Sequence, residues 1–482
     1  MDEIDSGGLR PRQDEIQPVL ERVIAEASAY LAGLDDAPAR RGDPDEVLRH
    51  FDEPLPETGT GALAALEDLI QHGAPALLHS GGPRNYHFVM GGTTPAALGA
   101  DLLAVTYDQA AYAWLSSPLA TVLEERSLEW LKQLFGLPAS WTGVMTTGAT
   151  MANFVALAAA RQWWGERTGI DPALQGLSGA PPIPVLTSGY VHASAVKVLG
   201  LLGIGRASLQ TFERDARGRV DLDALEEAFV SLHGAPAVLV ANAGEVNAGD
   251  FDPIEAFADL AERYGAWLHV DGAFGLFARL SPRTRHLVEG VERADSVITD
   301  GHKWLNVPYD SGYAFVRDRG LLQRSFAYSA AYLQQPDDPR PNFGILGPES
   351  SRRARAFAVW ATLKAYGREG YRTMVEHHLD LAQHLAQRVD AAPDLERLAD
   401  VPLNIVCFRF NPGGLDEAAL NELNRALGEA VLTDGRYFAG TTVFEGRVAL
   451  RPALVNWRTT GEHMDGFVDT VRELGRRIRA AR

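Results

Sequence analysis

Short apolar runs alternate with amphipathic stretches between residues 184 and 301, and this alternation constrains the fold more than any other feature. The runs have the length and composition of buried strands: PVLTSG (184–189), PAVLVANAG (236–244), AWLHVDGAFG (266–275) and SVITDG (296–301). Strands that alternate with helices predict a mostly parallel sheet with helices on both faces. Ligands of such sheets bind outside the carboxyl ends of the strands, so functional residues are expected there.

The predicted helix after the second run has recognisable ends. Asp252 is expected to cap its N-terminus, and Pro253 is expected in its first turn. Gly265 is expected to end it, because glycine readily adopts the left-handed conformation that follows many helices.

The pattern along the chain predicts three parts. Residues 1–85 combine helical patterns with Pro, Gly and Asp breaks, and residues 86–370 contain the alternating region. Residues 371–482 combine helical stretches with two further strand-like runs, LNIVCFRF (403–410) and VALRPAL (448–454). We therefore expect an N-terminal helical segment, a large α/β domain and a small α+β domain.

The charge and the lack of long apolar runs exclude several classes of partner. The net charge of -18 disfavours nucleic acid and anionic membranes as partners. No apolar run approaches the roughly 20 residues that span a bilayer, and the polar N-terminus is unlike a signal peptide. The single cysteine, Cys407, excludes an intramolecular disulfide. These features predict a cytoplasmic protein.

The chain has only four lysines, and one of them follows a predicted buried strand. Lys132 and Lys364 lie in amphipathic helical stretches, and Lys197 lies in another helix. Lys303 lies just past SVIT, at the expected edge of the sheet. An amine held in a partly dry place can form a Schiff base with an aldehyde. A buried ion pair is the alternative.

Three other stretches carry candidate groups. Asp271 follows the strand-like WLHV and could interact with a ligand, cap a helix or form a salt bridge. Thr146–Thr150 lies where a strand meets a helix, which is typical of an anion site but also of an ordinary threonine cap. His192 opens a helix, where a histidine is often a cap or a surface group.

Taken together and in this order, these stretches resemble the fold-type I, pyridoxal-phosphate-dependent group II amino-acid decarboxylases. The resemblance runs from about His79 to the C-terminus. It rests on SSPLATVLEE (116–125), TTGATMAN (146–153), VHAS (191–194), NAGEVNAGDFDPI (242–254), WLHVDGAFG (267–275), GHKWL (301–305) and SSRRARAFAVWATLKAYGREGY (350–371). It implies a central, mostly parallel seven-stranded sheet and pyridoxal 5'-phosphate as the cofactor.

The resemblance also implies roles for single residues. Lys303 corresponds to the lysine that binds the cofactor aldehyde, and Asp271 to the carboxylate that pairs with the pyridinium nitrogen. His192 and Ala273 correspond to the residues on the two faces of the ring. The phosphate-binding residues that it implies are Thr147, Gly148, Ala149, Thr150 and His302.

Other residues implied by the resemblance concern the substrate and the partner subunit. Asn85, Tyr86 and Phe88 correspond to the substrate pocket, although they could instead only pack a domain interface. Tyr332 corresponds to a loop tyrosine that reaches the partner's site and protonates the product, with Tyr328 as a rival. The resemblance thus implies a homodimer with active sites at the subunit interface, in which residues 1–85 wrap the partner.

Two positions depart from the family pattern. Glu245-Val246 stands where many relatives have two threonines, and Asp300 stands where several have asparagine. An anion near a phosphate is unfavourable unless it is paired or turned away. We therefore do not expect Asp300 to be a phosphate ligand.

The resemblance predicts decarboxylation of an L-amino acid to the amine and CO2. HKWL favours an aromatic or large hydrophobic substrate. The alternatives are an aldehyde synthase, a decarboxylase of glutamate or of a branched aliphatic amino acid, and an aminotransferase. A metal-dependent hydrolase that uses His269, Asp271 and His302 is a further alternative.

Overall fold

The computed structural model describes residues 11–42, 44–328, 330, 333–334 and 338–481. Its main sheet has seven strands: β1 (Thr142–Thr146), β2 (Val185–Thr187), β3 (Leu209–Thr211), β4 (Val238–Asn242), β5 (Trp267–Asp271), β6 (Ser296–Asp300) and β7 (Gly312–Val316). Their order is β1-β7-β6-β5-β4-β2-β3. Only β7 runs antiparallel to its neighbours. The four predicted buried strands are confirmed as β2, β4, β5 and β6.

The helices among the described residues are α1 (Ile16–Gly33), α2 (Pro44–Leu48), α3 (Ala62–Asp68), α4 (Pro95–Tyr107), α5 (Pro118–Phe135), α6 (Ala149–Thr168), α7 (Pro172–Gln175), α8 (Ala193–Leu201), α9 (Leu222–Ser231), α10 (Ile254–Tyr264), α11 (Arg319–Phe326), α12 (Ala356–Ala391), α13 (Glu417–Asp434) and α14 (Gly461–Ala480). No helix in these residues is long and apolar enough to cross a membrane.

The ends of α10 were predicted only in part. Gly265 ends the helix with a φ of 65°, as expected. Asp252 is not its cap: the residue before the helix is Pro253, and no side chain caps it. Asp252 Oδ2 instead accepts hydrogen bonds from Ser188 Oγ and from the backbone and side-chain nitrogens of Asn242, at 2.8–2.9 Å. The carboxylate therefore joins the ends of β2 and β4.

A smaller antiparallel sheet forms after α12. It contains β8 (Leu395–Arg397), β9 (Phe408–Phe410), β10 (Thr441–Phe444) and β11 (Arg447–Leu450), in the order β10-β11-β9-β8. The strands in LNIVCFRF and VALRPAL are therefore shorter than predicted. The boundary expected at residue 371 falls within α12, close to a break in helical geometry at Gly367, where φ is 59°.

Helix α12 belongs to both hydrophobic cores. Most of its buried residues up to Leu379 pack with the core of the large sheet, whereas the buried apolar residues from Leu381 onward pack with the core of the small domain. Trp304, which follows Lys303, is completely buried against α12 and donates its indole N–H to His378 Nδ1 at 2.9 Å. The structure thus anchors the segment around Lys303 to the helix that connects the domains.

Two buried histidines should make the fold sensitive to acid. Burial lowers the pKa of His269 and of His378 to about 4, whereas an unfolded histidine titrates near 6.5. The unfolded chain therefore binds more protons between these values, so stability is complete above pH 6.5 and falls as the pH drops toward 4. From pH 7 to pH 5, each histidine should cost about 2 kcal/mol of unfolding free energy.

Urea unfolding at the two pH values tests this expectation. His378→Gln should reduce the difference between pH 7 and pH 5 by about 2 kcal/mol, whatever its effect on overall stability. His286→Gln, which changes an exposed histidine, is the matched control and should leave the difference unchanged. A full-sized pH effect in His378→Gln would contradict the assignment.

Candidate active site

A cavity of about 400 Å³ opens at the carboxyl ends of β4, β5 and β6. The strands end there at Asn242, Asp271 and Asp300. Its walls are formed by Thr147, Gly148, Ala149, Thr150, Met151, Tyr190, His192, Ser194, Asn242, Gly244, Glu245, Val246, Asp271, Ala273, Phe274, Asp300, His302, Lys303 and Tyr309. All predicted catalytic and cofactor residues within the described chain therefore meet in one place.

Lys303 lies in a π-helical turn, Gly301–Leu305, directly after β6. Its backbone departs from helical geometry (φ -93°, ψ -106°), and its side chain is 17% exposed. The amine lies 3.0 Å from Asp300 Oδ2 and 5.8 Å from the centre of the Phe274 ring. The turn therefore directs the only lysine of this cavity into a largely enclosed, partly aromatic space.

Asp271 is buried, and it accepts hydrogen bonds from neutral groups. Oδ2 accepts from Asn153 Nδ2 at 2.9 Å, and Oδ1 accepts from the backbone N–H of Ala273 at 3.2 Å. Asn153 projects from α6, and its Oδ1 lies 2.8 Å from His269 Nε2. A carboxylate with neutral partners can accept a further hydrogen bond from a cationic ligand.

His269 cannot take the role that the hydrolase alternative gives it. Both ring nitrogens have protein partners, since Nδ1 lies 2.8 Å from Ser296 Oγ and Nε2 faces Asn153. The ring is completely buried beneath the cavity. It therefore supports Asn153, which in turn holds Asp271, and does not line the cavity.

His192 caps a helix and also lines the cavity. Its Nδ1 accepts the backbone N–H of Ser194 at 3.2 Å, which fixes the imidazole at the start of α8. Desolvation in the cavity wall lowers the pKa of His192, although the negative charge of Asp271 acts to raise it. The two interpretations of His192, as a cap and as a ligand-facing group, are therefore compatible.

The start of α6 forms one end of the cavity. Gly148 occupies the cap position, and no side chain caps the helix, so a threonine cap is excluded there. A Cβ at this glycine would lie 3.0 Å from the ring of His302 and 3.5 Å from Asp300 Oδ1. The backbone of Gly148, Ala149 and Thr150 thus approaches the cavity closely, as an anion site at a helix N-terminus requires.

Comparison with known proteins identifies the type of site. Residues 44–411 match the family model of the pyridoxal-dependent decarboxylase conserved domain.

The chain belongs to the pyridoxal-dependent decarboxylase family.

Its relatives include an aromatic-L-amino-acid decarboxylase of Bacillus atrophaeus, which is 30% identical over 93% of both chains. An L-2,4-diaminobutyrate decarboxylase of Rhizobium meliloti (strain 1021) is 33% identical over 88% of this chain and 84% of its own. The solved structure of Oryza sativa TDC with PLP and tryptamine has a TM-score of 0.90 and 24% identity, covering 98% of this chain and 99% of its own. The protein is thus a fold-type I amino-acid decarboxylase that uses pyridoxal 5'-phosphate (PLP).

The three predicted substrate residues do not line this cavity. Tyr86 is 1% exposed and packs in the core of the small domain against Tyr437. Asn85 is also buried, whereas Phe88 is 57% exposed and its ring lies against His87. Within one chain of the decarboxylase, Tyr86 therefore packs in the core of the small domain.

The loop tyrosine remains a prediction. Tyr332 lies outside the described residues. Tyr328, its rival, is 46% exposed, and its hydroxyl lies 2.6 Å from Ser350 Oγ. Tyr328 is not among the described residues that line the cavity.

At the Glu245-Val246 departure, the structure gives Glu245 a local role. Glu245 is 5% exposed, and its carboxylate accepts the backbone N–H groups of Asn247, at 2.7 Å, and of Ala248. Burial raises the pKa of Glu245. The glutamate therefore holds the turn after β4 while it forms part of the wall of the decarboxylase cavity, and it does not face solvent.

Sequence reasoning gave no role to several residues around the cavity of the decarboxylase, among them Asn153, Phe274 and Tyr309. Asn153 could have been found, because it follows Ala149 by four positions and Thr150 by three on one helical face. Phe274 and Tyr309 gave no such signal, since aromatic residues beside strand ends are common in cores. Tyr309 stacks on His302 with ring centres 4.2 Å apart, so it fixes that imidazole at the cavity.

One group of residues away from the cavity could hold a metal ion. His50, Asp68 and His72 bring their ligand atoms within 4.8 Å of one another in the N-terminal part of the decarboxylase. Asp68 Oδ1 lies 2.8 Å from His50 Nε2 and 3.8 Å from His72 Nε2. All three side chains are at least one-third exposed, and none lines the active-site cavity.

Proposed function

We propose that this decarboxylase converts an aromatic or large hydrophobic L-amino acid to the corresponding amine and CO2, with Lys303 as the residue that carries the cofactor. The observation that supports the site assignment is the convergence of Lys303, Asp271 and the uncapped start of α6 in one cavity. Lys303 is the lysine of that cavity, and Asp271 is a buried carboxylate at the end of β5 that accepts hydrogen bonds from neutral groups.

The residues around the cavity fit PLP. Gly148, Ala149 and Thr150, with Thr147 and His302 beside them, would hold the phosphate at the start of α6. Asp271 would hold a proton on the ring nitrogen, and His192 and Ala273 would lie against the two ring faces. Lys303 would bind the aldehyde.

The cofactor supplies an electron sink for the carbon–carbon bond that breaks. The protein would keep the cofactor protonated, oriented and shielded from water. Asp271, which is supported by Asn153 and His269, would keep a proton on the ring nitrogen. His192 and Ala273 would restrict movement of the ring, and the enclosed cavity would limit access of water. Tyr332 is proposed to return a proton to the α-carbon, as the resemblance implies.

The proposed substrate class is supported by the apolar part of the cavity wall. Met151, Val246, Phe274 and Tyr309 contribute apolar or aromatic surface, which would suit a large hydrophobic side chain. The Bacillus relative, named as an aromatic-L-amino-acid decarboxylase, is consistent with this choice. An acidic side chain is disfavoured because Glu245, Asp271 and Asp300 already line the cavity.

Glu245 favours 2,4-diaminobutyrate as a second candidate substrate. A buried carboxylate in the wall would attract the second amine of that molecule. The Rhizobium relative is named as an L-2,4-diaminobutyrate decarboxylase. The two candidates therefore differ in whether the charge of Glu245 contributes to binding.

Assaying CO2 and amine release from the twenty amino acids and 2,4-diaminobutyrate tests the proposal. The highest kcat/KM should be for an aromatic or large hydrophobic substrate, and Glu245→Gln should change that value less than threefold. A preference for diaminobutyrate that falls at least about tenfold in Glu245→Gln would establish the second candidate. Release of ammonia and aldehyde without amine would refute decarboxylation to the amine.

We also propose that the decarboxylase is a homodimer. Helix α1 has no buried residue, and it exposes Ile16, Leu20 and Ile24 at four-residue spacing. Helices α4 and α5 expose further apolar side chains, among them Leu102, Leu103, Val105, Leu119 and Val122. Apolar surfaces of this kind favour association. Sedimentation equilibrium should give twice the chain mass of 52.3 kDa, and a monomer at micromolar concentration would contradict the proposal.

A further inference from the structure

The carboxylate of Asp300 lies between the amine of Lys303 and the start of α6. Asp300 is 2% exposed, and its Oδ2 lies 3.0 Å from Lys303 Nζ. Its Oδ1 lies 3.6 Å from His302 Nε2 and has no hydrogen-bond partner among the described residues. A Cβ on Gly148 would lie 3.5 Å from the same oxygen. One carboxylate therefore adjoins both the amine and the proposed phosphate site.

A negative charge on Asp300 would interact favourably with the Lys303 ammonium group and unfavourably with a phosphate at the start of α6. An ammonium group stabilises a buried carboxylate and is itself held in place by it. A phosphate at the start of α6 would be repelled by the same charge, because few water molecules screen it in a buried site. An asparagine would keep an oxygen that accepts a hydrogen bond from the lysine and would remove the repulsion.

We propose that Asp300 is a positioning residue that holds the Lys303 amine at the cavity and, by its charge, weakens phosphate binding at the start of α6. The proposal rests on the proposed roles of Lys303 and of Gly148–Thr150. The charge of Asp300 should weaken the binding of a ligand that carries the phosphate group and should not weaken the binding of the same ligand without it.

Pyridoxal and PLP provide matched probes, since they differ only in the phosphate. Apoenzyme prepared from the holoenzyme is titrated with each, and binding of the aldehyde is followed by absorbance. In Asp300→Asn, the ratio of the pyridoxal Kd to the PLP Kd should rise about tenfold above the wild-type ratio. Asp250→Asn, which changes a carboxylate that accepts the Tyr190 hydroxyl, is the control and should leave the ratio unchanged.

The rate of pyridoxal capture tests the positioning role separately. It should fall about tenfold in Asp300→Ala and stay within threefold of wild type in Asp300→Asn, because only the amide retains an acceptor for the amine. An unchanged Kd ratio in Asp300→Asn, or a wild-type capture rate in Asp300→Ala, would overturn the proposal. A merely structural role would weaken both ligands equally. Failure of the assignment of Lys303 would be recognised independently, because borohydride would fix the cofactor to another residue.

Discussion

Lys303→Ala should lower kcat by at least about a thousandfold and should abolish covalent capture of the cofactor. Loss of this amine removes the nucleophile, and no other lysine lines the cavity. Steady-state release of CO2 measures the first effect, and the absorbance of the purified protein measures the second. The protein should remain folded, since the Lys303 side chain is not part of either hydrophobic core.

Two further variants serve as controls. One keeps a positive charge at position 303 without a nucleophilic amine, and the other removes a lysine outside the cavity. Lys303→Arg keeps a cation next to Asp300 but should be as inactive as the alanine variant, because a guanidinium does not attack an aldehyde under these conditions. Lys197→Ala removes an exposed lysine from α8 and should retain wild-type activity. Turnover within tenfold of wild type in Lys303→Ala would contradict the assignment.

Asp271→Asn should reduce kcat by about 10²- to 10⁴-fold while the cofactor remains bound. An amide oxygen can keep one of the two hydrogen bonds that the carboxylate accepts from the Asn153 side chain and the Ala273 backbone, but an amide cannot hold a proton on the ring nitrogen. The loss should therefore appear in kcat and not in the amount of bound cofactor. Single-turnover CO2 release and the absorbance of bound PLP measure the two quantities.

Asp259→Asn is a suitable control, because Asp259 is an exposed acid on α10 that pairs with Arg293 at 2.7 Å. It should leave kcat unchanged. If Asp271→Asn retained more than a tenth of wild-type kcat with bound cofactor, the carboxylate would not perform the role proposed for it.

The buried strands were predictable because both faces of a parallel sheet are covered by helices. Such strands appear as continuous apolar runs, as do β2, β4, β5 and β6. The position of β7 between β1 and β6 could not be predicted from its sequence, because the order of strands in a sheet depends on long-range pairing. Strand β3 is short and lies at the edge, so it lacks the apolar run that marks its neighbours.

The candidate site was predictable to the extent that it lies at strand ends. Asp271 ends a strand, and Lys303 and the stretch at Gly148 follow the ends of two others. Parallel strands bring their carboxyl ends to one edge. The cap of α10 was misassigned, because Asp252 gains three hydrogen bonds from Ser188 and Asn242 that local sequence cannot reveal. Tyr86 has an aromatic ring that would suit a pocket or a core, and only the packing of the small domain distinguishes these environments.

Borohydride reduction of the holoenzyme, followed by peptide mapping, tests the central claim most directly. Reduction makes the bond between the cofactor and its lysine permanent, so mass spectrometry can locate it. The account predicts that the phosphopyridoxyl group is attached to Lys303, in the peptide that contains GHKWL. Attachment to Lys132, Lys197 or Lys364, or no attachment at all, would contradict it.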